Sequence, residues 1–436
     1  MAKLAVLGGE PTRKEGPLTW PVYSEREREL LMEVLESRNW GGFPEPNRFA
    51  KKFAEKFAAY HDAKHGICAA NGTVTLEIAL KAGGIKAGDE VIVPAISWIA
   101  TAQAPITVNA VPVFVDIDPN TYCIDPKAIE AAITKRTKAI IPVHLGYQIC
   151  DMDAIVNIAN KHNLLIVEDC AHAHGGKWKN KGVGSLGHFG SFSFQTSKIM
   201  TAGEGGIILT NNDEWMQKCH SYVNCGRKET GYNDYEEQVF GWNYRITEWQ
   251  AAVLLAQLER LGEQTKIKKE NLDYLGSLLE EIDGIELLKI DPRVTSQPIY
   301  EVVLKYDKEK WGTIHRDRFV EALNAEGFEA DPYFYTPIYQ NMLFRPTIDE
   351  FPMLKERYSD GIGPASASCP LADRMAYEEA IWLHQAYFLY DKGVVDQIFD
   401  AISKIWENIG ELAEHAGTGG FIKVGERVRR RRPKTE

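Results

Sequence analysis

Between residues 65 and 210 the sequence repeats one alternation. Short apolar runs, HGICAAN, EVIVPA, VPVFVDI, KAIIPVHL, LLIVED, HFGSFSF and GGIILT, are separated in several places by segments whose apolar residues fall three and four apart. TLEIALKAGGI, DPKAIEAAITK and DMDAIVNIANKHN have that spacing, which predicts helices, while the runs themselves predict seven strands. A parallel strand needs a crossover to return, so the alternation predicts an α/β fold with a mostly parallel seven-stranded sheet sandwiched by helices. Such sheets bind ligands outside the carboxyl ends of their strands, and the chemistry is therefore sought there.

The flanks are organised differently. ERERELLMEVLESRNW and FAKKFAEKFAAYH are amphipathic and predict two helices, joined by GGFPEPN and packed on the core or on a partner subunit. After the sheet, TEWQAAVLLAQLERLGEQTKIKKENLDYLGSLLEEI predicts a long helix suited to connecting domains. Beyond it, IYEVVLKY reads as a strand, and DRFVEALNAEG and VVDQIFDAISKIWENIGEL as helices. A length of 436 residues suits one large and one small domain. The expected division is a large α/β domain over residues 1–265, a small α+β domain over 266–412, and a basic, solvated tail over 413–436.

A net charge of −11 argues against a general nucleic-acid binder. No apolar stretch reaches the roughly 18 residues of a membrane span, and the apolar run near the N-terminus is too short for a signal sequence. Seven cysteines without CxxC spacing predict free thiols in a reducing compartment, most simply the cytoplasm.

Chemistry-bearing residues gather at the strand ends. Asp169 closes LLIVED, where a buried carboxylate needs a partner; an ion pair or a helix cap would serve as well as a ligand. Lys198 lies just beyond another strand end beside Ser193, Thr196 and Ser197. It is either a solvated lysine or an amine desolvated enough to form a Schiff base. In CAANGTVTLEIAL a strand runs through Gly72 and Thr73 into a helix, which makes an anion site, with Thr73 as an ordinary N-cap the alternative. Trp98 either stacks on a planar ligand or packs in the core. His172 and His174 lack a clear third metal ligand and better suit hydrogen bonding to a cofactor or backbone. Neither glycine-rich segment matches a P-loop, and no GxGxxG follows the first strand. A phosphate-type turn, a strand-end carboxylate, an aromatic and a strand-end amine together suit pyridoxal 5'-phosphate, which needs each of them.

The chain resembles the DegT/DnrJ/StrS family of sugar and cyclitol aminotransferases, within the aspartate aminotransferase superfamily called fold type I. The resemblance runs from about residue 17 to 412. It rests on WGGFPEPNRF, AANGTVTLEIAL, EVIVPAISWIATA, VFVDIDPNTYCIDP, IPVHLGYQICDMDAI, VEDCAHAHGG, GSFSFQTSKIMTAGEGG and GWNYRITEWQAAVL. It implies that Lys198 carries the cofactor as an internal aldimine and later moves a proton, and that Asp169 pairs with the pyridine nitrogen. It implies phosphate contacts from Gly72, Thr73 and Ser193, stacking by Trp98, and His172 near the phenolic oxygen. Asn243 would reach the phosphate of the neighbouring subunit, so a homodimer with shared active sites is expected.

EDCAHAHG, GWNYR and IWLHQAYFL narrow the similarity to enzymes acting on keto-cyclitols and to aminohydroxybenzoate synthases. A glutamate or glutamine donor, a keto-sugar or keto-cyclitol acceptor and a ping-pong mechanism follow, with Tyr335 and His384 on the substrate side. The loop in IPVHLGYQICDMD departs from the commoner family form, although His144 is retained. The rivals are an aminohydroxybenzoate-synthase-like enzyme, a non-catalytic cofactor-binding regulator, and a dehydratase, against which Lys198 argues.

Overall fold

The structure is a computed structural model, and it describes residues 2–16, 18–41, 47–228, 239–344, 350–358 and 367–415. Residues 42–46 of the motif WGGFPEPNRF and residues 416–436 of the basic tail lie outside the described residues. The seven apolar runs become one sheet: β1 (His65–Ala69), β2 (Glu90–Pro94), β3 (Val111–Val115), β4 (Thr137–Ile140), β5 (Leu165–Asp169), β6 (Phe189–Ser193) and β7 (Gly206–Thr210). Their order is β1-β7-β6-β5-β4-β2-β3. β7 is antiparallel to both its neighbours and every other pair is parallel. β2, β3, β5, β6 and β7 are buried at every residue, which is why they read as continuous apolar runs rather than as an alternation.

Helices α1 (Glu25–Ser37) and α2 (Arg48–Tyr60) precede the sheet, and α3 (Gly72–Ala82), α4 (Ala100–Thr107), α5 (Pro126–Ala132), α6 (Met152–His162) and α7 (Asp213–Val223) accompany it. α3, α5 and α6 lie where the apolar spacing predicts them. α4 leaves little trace in the sequence, because it is Ala-rich and carries Pro105 in its last turn.

The 32-residue α8 (Glu248–Leu279) is one unbroken helix, so the boundary expected at 265 falls inside it. It ties several elements together. Its Glu248 accepts bonds from Phe49 N (2.8 Å) and Ala50 N (3.1 Å), capping α2 where Asn47 provides no side-chain cap. Its Gln257 Nε2 donates to Glu27 of α1 at 2.9 Å. Further along, Asn271 Nδ2 donates to the carbonyls of Phe388 (2.9 Å) and Tyr390 (2.7 Å).

A second, antiparallel sheet contains β8 (Ile285–Leu287), β9 (Glu301–Tyr306), β10 (Ala330–Asp331) and β11 (Ala380–His384) in the order β8-β9-β11-β10. α9 (Arg316–Ala325) packs on this sheet, and α10 (Lys392–Glu407) packs against α8 and α9. The register sets Glu301 opposite His384, Val303 opposite Trp382, and Asp331 also opposite Trp382. Directly opposed residues share a face, so these five side chains line one side of the small sheet. That side meets the large lobe: a Cβ on Gly146 would come within 3.2 Å of Val303 Cγ2 and 3.6 Å of the Trp382 ring. No helix among the described residues is long and apolar enough to cross a membrane.

Candidate active site

Lys198 rides on a closed loop between β6 and β7. Phe194 N donates to Gly205 O (2.8 Å), Ala202 N to Phe194 O (3.1 Å) and Thr201 Oγ1 to the same carbonyl (3.1 Å). Two clamps hold the turn before the lysine: Trp20 Nε1 donates to Thr196 O (2.9 Å) and Gln385 Nε2 to Ser197 O (2.8 Å). Lys198 itself is 8% exposed, with its Nζ 4.4 Å from the centroid of the Tyr300 ring. Burial depresses its pKa to about 8, although Asp169 and Glu301 pull it back upward.

At pH 7 roughly one such amine in ten is free, against about one in three thousand for an ordinary lysine. Capture of an aromatic aldehyde by the cofactor-free protein should therefore accelerate up to about pH 8 and then level off, as followed by visible absorption. A profile still climbing near pH 10 would mean a solvated lysine.

Asp169 ends β5 in register with Ser191 of the parallel β6, so both strand ends open on the same side. Its Oδ2 accepts from Thr101 Oγ1 (2.8 Å) and its Oδ1 from Ala171 N (3.2 Å). Thr101 accepts in turn from Ser97 Oγ (2.8 Å), because its own proton is given to the carboxylate. Burial raises the Asp169 pKa; Thr101, Ala171 and the nearby Lys198 work the other way. The sequence points to Asp169 but not to Thr101, which sits on the poorly marked α4.

The preceding residue, Glu168, is fully buried and gathers a hub of its own. It accepts from the amides of Gly184 (2.8 Å), Leu186 (2.8 Å) and Gly187 (2.6 Å), and it meets His144 Nε2 at 3.2 Å. His144, Glu168 and Cys170 bring ligand-type atoms within 4.8 Å of one another. His144 Nδ1 is already taken by Cys150 N (3.2 Å), and burial raises the Cys170 thiol well above its ordinary range, which makes this a poor metal cage. Glu168→Ala would strand one buried and two part-buried amides, and chemical denaturation should show a loss of about 3 kcal/mol.

The anion turn is built more tightly than the sequence suggests. The N-cap of α3 is Asn71, not Thr73; its Oδ1 accepts from Thr73 N and Val74 N, both at 3.1 Å. Those amides are thus occupied, leaving the exposed Thr73 hydroxyl, the Ser193 hydroxyl and the positive helix end for an anion. A Cβ on Gly72 would lie 2.5 Å from Ser193 Cβ, and one on Gly206 would lie 2.6 Å from Asn71 C. The glycine at the start of β7 is therefore needed for close passage of this chain's own Asn71–Gly72 turn.

Trp98 is 58% exposed, which rules out the core alternative, and its carbonyl accepts from Thr101 N at 3.2 Å. Asn243 is also exposed, with its Oδ1 taking a 3.4 Å bond from Arg245 N. The next residue's carbonyl accepts from Ala70 N (2.7 Å), which tethers this segment beside the anion turn.

His172 is buried between aromatic rings, stacked on Tyr300 (centroids 4.3 Å apart) and on Tyr335 (5.7 Å). Its Nδ1 accepts from Gly146 N (3.3 Å), and burial holds its pKa well below the ordinary value. The neutral ring therefore carries its proton on Nε2, 2.8 Å from Tyr335 Oη, and the tyrosine keeps its own proton for a ligand. His384 lies apart from this stack, edge-on to Trp20 at 6.0 Å, with burial lowering its pKa to about 4. His174 packs among Phe57, Phe192 and Phe194 and serves the core.

The arrangement unites a partly deprotonated amine, an anchored carboxylate, an anion turn and neutral donors. These residues fit an aromatic aldehyde bearing a phosphate and a basic ring nitrogen.

The model of the DegT/DnrJ/EryC1/StrS aminotransferase family matches residues 22–386. A protein of Streptoalloteichus tenebrarius, provisionally named L-glutamine:3-amino-2,3-dideoxy-scyllo-inosose aminotransferase, is 47% identical over 413 residues, covering 94% of this chain and 99% of the relative. The L-glutamine:2-deoxy-scyllo-inosose aminotransferase of the same organism is 37% identical over 427 residues, covering 94% and 99%. Among solved structures, 3-amino-5-hydroxybenzoic acid synthase is 33% identical with a TM-score of 0.77, covering 92% of this chain and 100% of that one. An aminotransferase from Psychrobacter cryohalolentis is 30% identical with a TM-score of 0.80, covering 90% and 100%.

Proposed function

Because the chain belongs to the DegT/DnrJ/EryC1/StrS aminotransferase family and is a transaminase, we propose that it moves the amino group of glutamine to a keto-cyclitol with pyridoxal phosphate as cofactor. The observation that carries this is the depressed amine of Lys198 on one strand end, with Asp169 anchored on the neighbouring strand. Bound there, the cofactor supplies an aldehyde to receive the amino group and a ring to withdraw electrons from the reacting carbon. Lys198 would hold the cofactor through its amine and would move the proton at the substrate carbon. Asp169, braced by Thr101 and the Ala171 amide, keeps a proton on the ring nitrogen. Thr73, Ser193 and Gly72 would hold the phosphate, Trp98 would stack on the ring, and His172 would lie near the phenolic oxygen with Tyr335, 2.8 Å from its Nε2, toward the substrate.

Relatives named for an acceptor that already bears an amine are 44–47% identical, and those named for unaminated inososes are 34–37% identical. An amino-bearing keto-cyclitol is therefore the favoured acceptor. The aromatic product of the rival route has weaker support, in a solved structure at 33% identity. A cytoplasmic homodimer completes the reading. Its support is the pair of exposed aromatics just before Asn243, Phe240 (94%) and Trp242 (59%), which suit an interface.

The test is a panel of glutamine and glutamate against aminated and unaminated keto-cyclitols, a nucleotide-linked keto-sugar and the aromatic keto-acid. Glutamine with a keto-cyclitol should give parallel double-reciprocal lines. Turnover confined to the sugar nucleotide or the aromatic acid would overturn the assignment.

A further inference from the structure

Glu301 begins β9, 3% exposed, directly after the tyrosine whose ring lies beneath Lys198. Its register partner His384 and the neighbouring pair Val303 and Trp382 place it on the small-sheet side that faces the large lobe. Among the described residues no hydrogen bond or ion pair reaches its carboxylate, and its oxygens are not among the side-chain atoms sealed from solvent, so the group keeps an opening for a ligand. Buried polar groups are almost always partnered, and a buried carboxylate without a partner costs several kcal/mol.

Two amines lie close enough to feel its charge, yet both are engaged elsewhere. Lys198 sits over Tyr300. Lys268 of α8 donates to Gln385 Oε1 (2.5 Å) and lies 5.2 Å from the Trp20 ring. Asp331 adds a second acidic group near the same face, and burial raises the Glu301 pKa well above the carboxylate range despite the lysines. The cleft therefore contains a carboxyl group whose partner is missing from the protein itself. A cation arriving with the ligand would complete it.

We infer that Glu301 recognises the ammonium group of an amino-bearing keto-cyclitol and distinguishes this acceptor from its hydroxyl counterpart. The inference rests on the keto-cyclitol amination proposed above. It adds a specificity-determining residue to the small-lobe side chains, Tyr300 and Tyr335, that already reach the site. The chemistry is recognition alone: an ammonium hydrogen bonds to the carboxylate, with no bond made or broken.

The test compares the wild type with Glu301→Gln, which is nearly isosteric, and Glu301→Asp, which keeps the charge. Glu301→Gln should lower kcat/KM for the aminated acceptor about 10- to 100-fold, the range for a charge-assisted hydrogen bond, and lower that for the hydroxyl acceptor far less. Glu301→Asp should recover part of the preference. Calorimetry with the matching non-reacting aminocyclitol should show the same selective weakening relative to the all-hydroxyl cyclitol.

Equal losses on both acceptors, or an unchanged preference, would overturn the inference. If the wild type turned over neither keto-cyclitol, the functional proposal would fall. The calorimetric comparison would still decide whether Glu301 reads an amine.

Discussion

Lys198→Ala should lower transamination by at least about 10⁴-fold, and the cofactor-free variant should be at least as stable as the parent below pH 8. Loss of a positioned proton carrier costs about 10²–10⁴-fold by itself, and in the proposed role this lysine would also supply the covalent anchor. The stability half follows from burial. An unfolded lysine keeps its proton to about pH 10.5, whereas folded Lys198 keeps it to about 8. The unfolded state thus binds more protons between those values, and stability rises with pH across that window. Below pH 8 the amine costs the fold on the order of 3 kcal/mol, and alanine removes that cost along with some packing over Tyr300. Thermal melts at about pH 7 and about pH 10 check it: the gap between variant and parent should shrink or change sign at the higher pH. A variant that retained transamination would remove Lys198 from the chemistry.

Asp169→Asn should lose about 10²–10³-fold in activity while folding normally. Asparagine fills the same space, and its carbonyl oxygen can accept from Ala171 N as Oδ1 does now at 3.2 Å. Its amide can donate to Thr101, whose hydroxyl then turns its proton toward Ser97, 2.8 Å away. The fold also loses a carboxylate whose pKa burial raises, which offsets any weakened hydrogen bond. The charge opposite the ring nitrogen disappears, at a magnitude typical of removing one preorganised electrostatic partner. Asp169→Ala should be both inactive and less stable, because it strands the Thr101 hydroxyl and the Ala171 amide. Measuring kcat with denaturation midpoints separates the two variants; an active Asp169→Asn enzyme would remove the charge from the mechanism.

Five of the seven strands are legible because a strand buried on both faces writes itself as an unbroken apolar run, and Lys198 and Asp169 are legible because each closes or follows such a run. The hydrogen-bond direction at α3 is not, since Asn71 and Thr73 are equally good caps by residue type and only backbone geometry chooses Asn71. Glu168 looks like any acid beside another, and its three amide partners come from a loop 16 to 19 residues away. The small-lobe contribution is the least visible part. Tyr300, Glu301 and Gln385 reach the site from at least about a hundred residues downstream of Lys198, through strand register. Lys268 does leave a signal: it stands midway between buried Leu261 and Leu275, seven residues from each, where an apolar side chain is expected.

The long helix α8 has a mechanical consequence. At about 1.5 Å per residue its 32 residues form a shaft nearly 50 Å long. At one end it holds α2 through Glu248 and the loop of Lys198 through Gln250 Nε2 on Glu204 O (3.0 Å). Near the other end it holds the segment after β11 through Lys268 and Asn271. Swinging the lobes apart would require bending this shaft or tearing off its attachments, so the cleft keeps its width during turnover. Traffic in and out then falls to the peripheral loops, while the rigid beam preserves the spacing between the amine on one lobe and the carboxyl on the other.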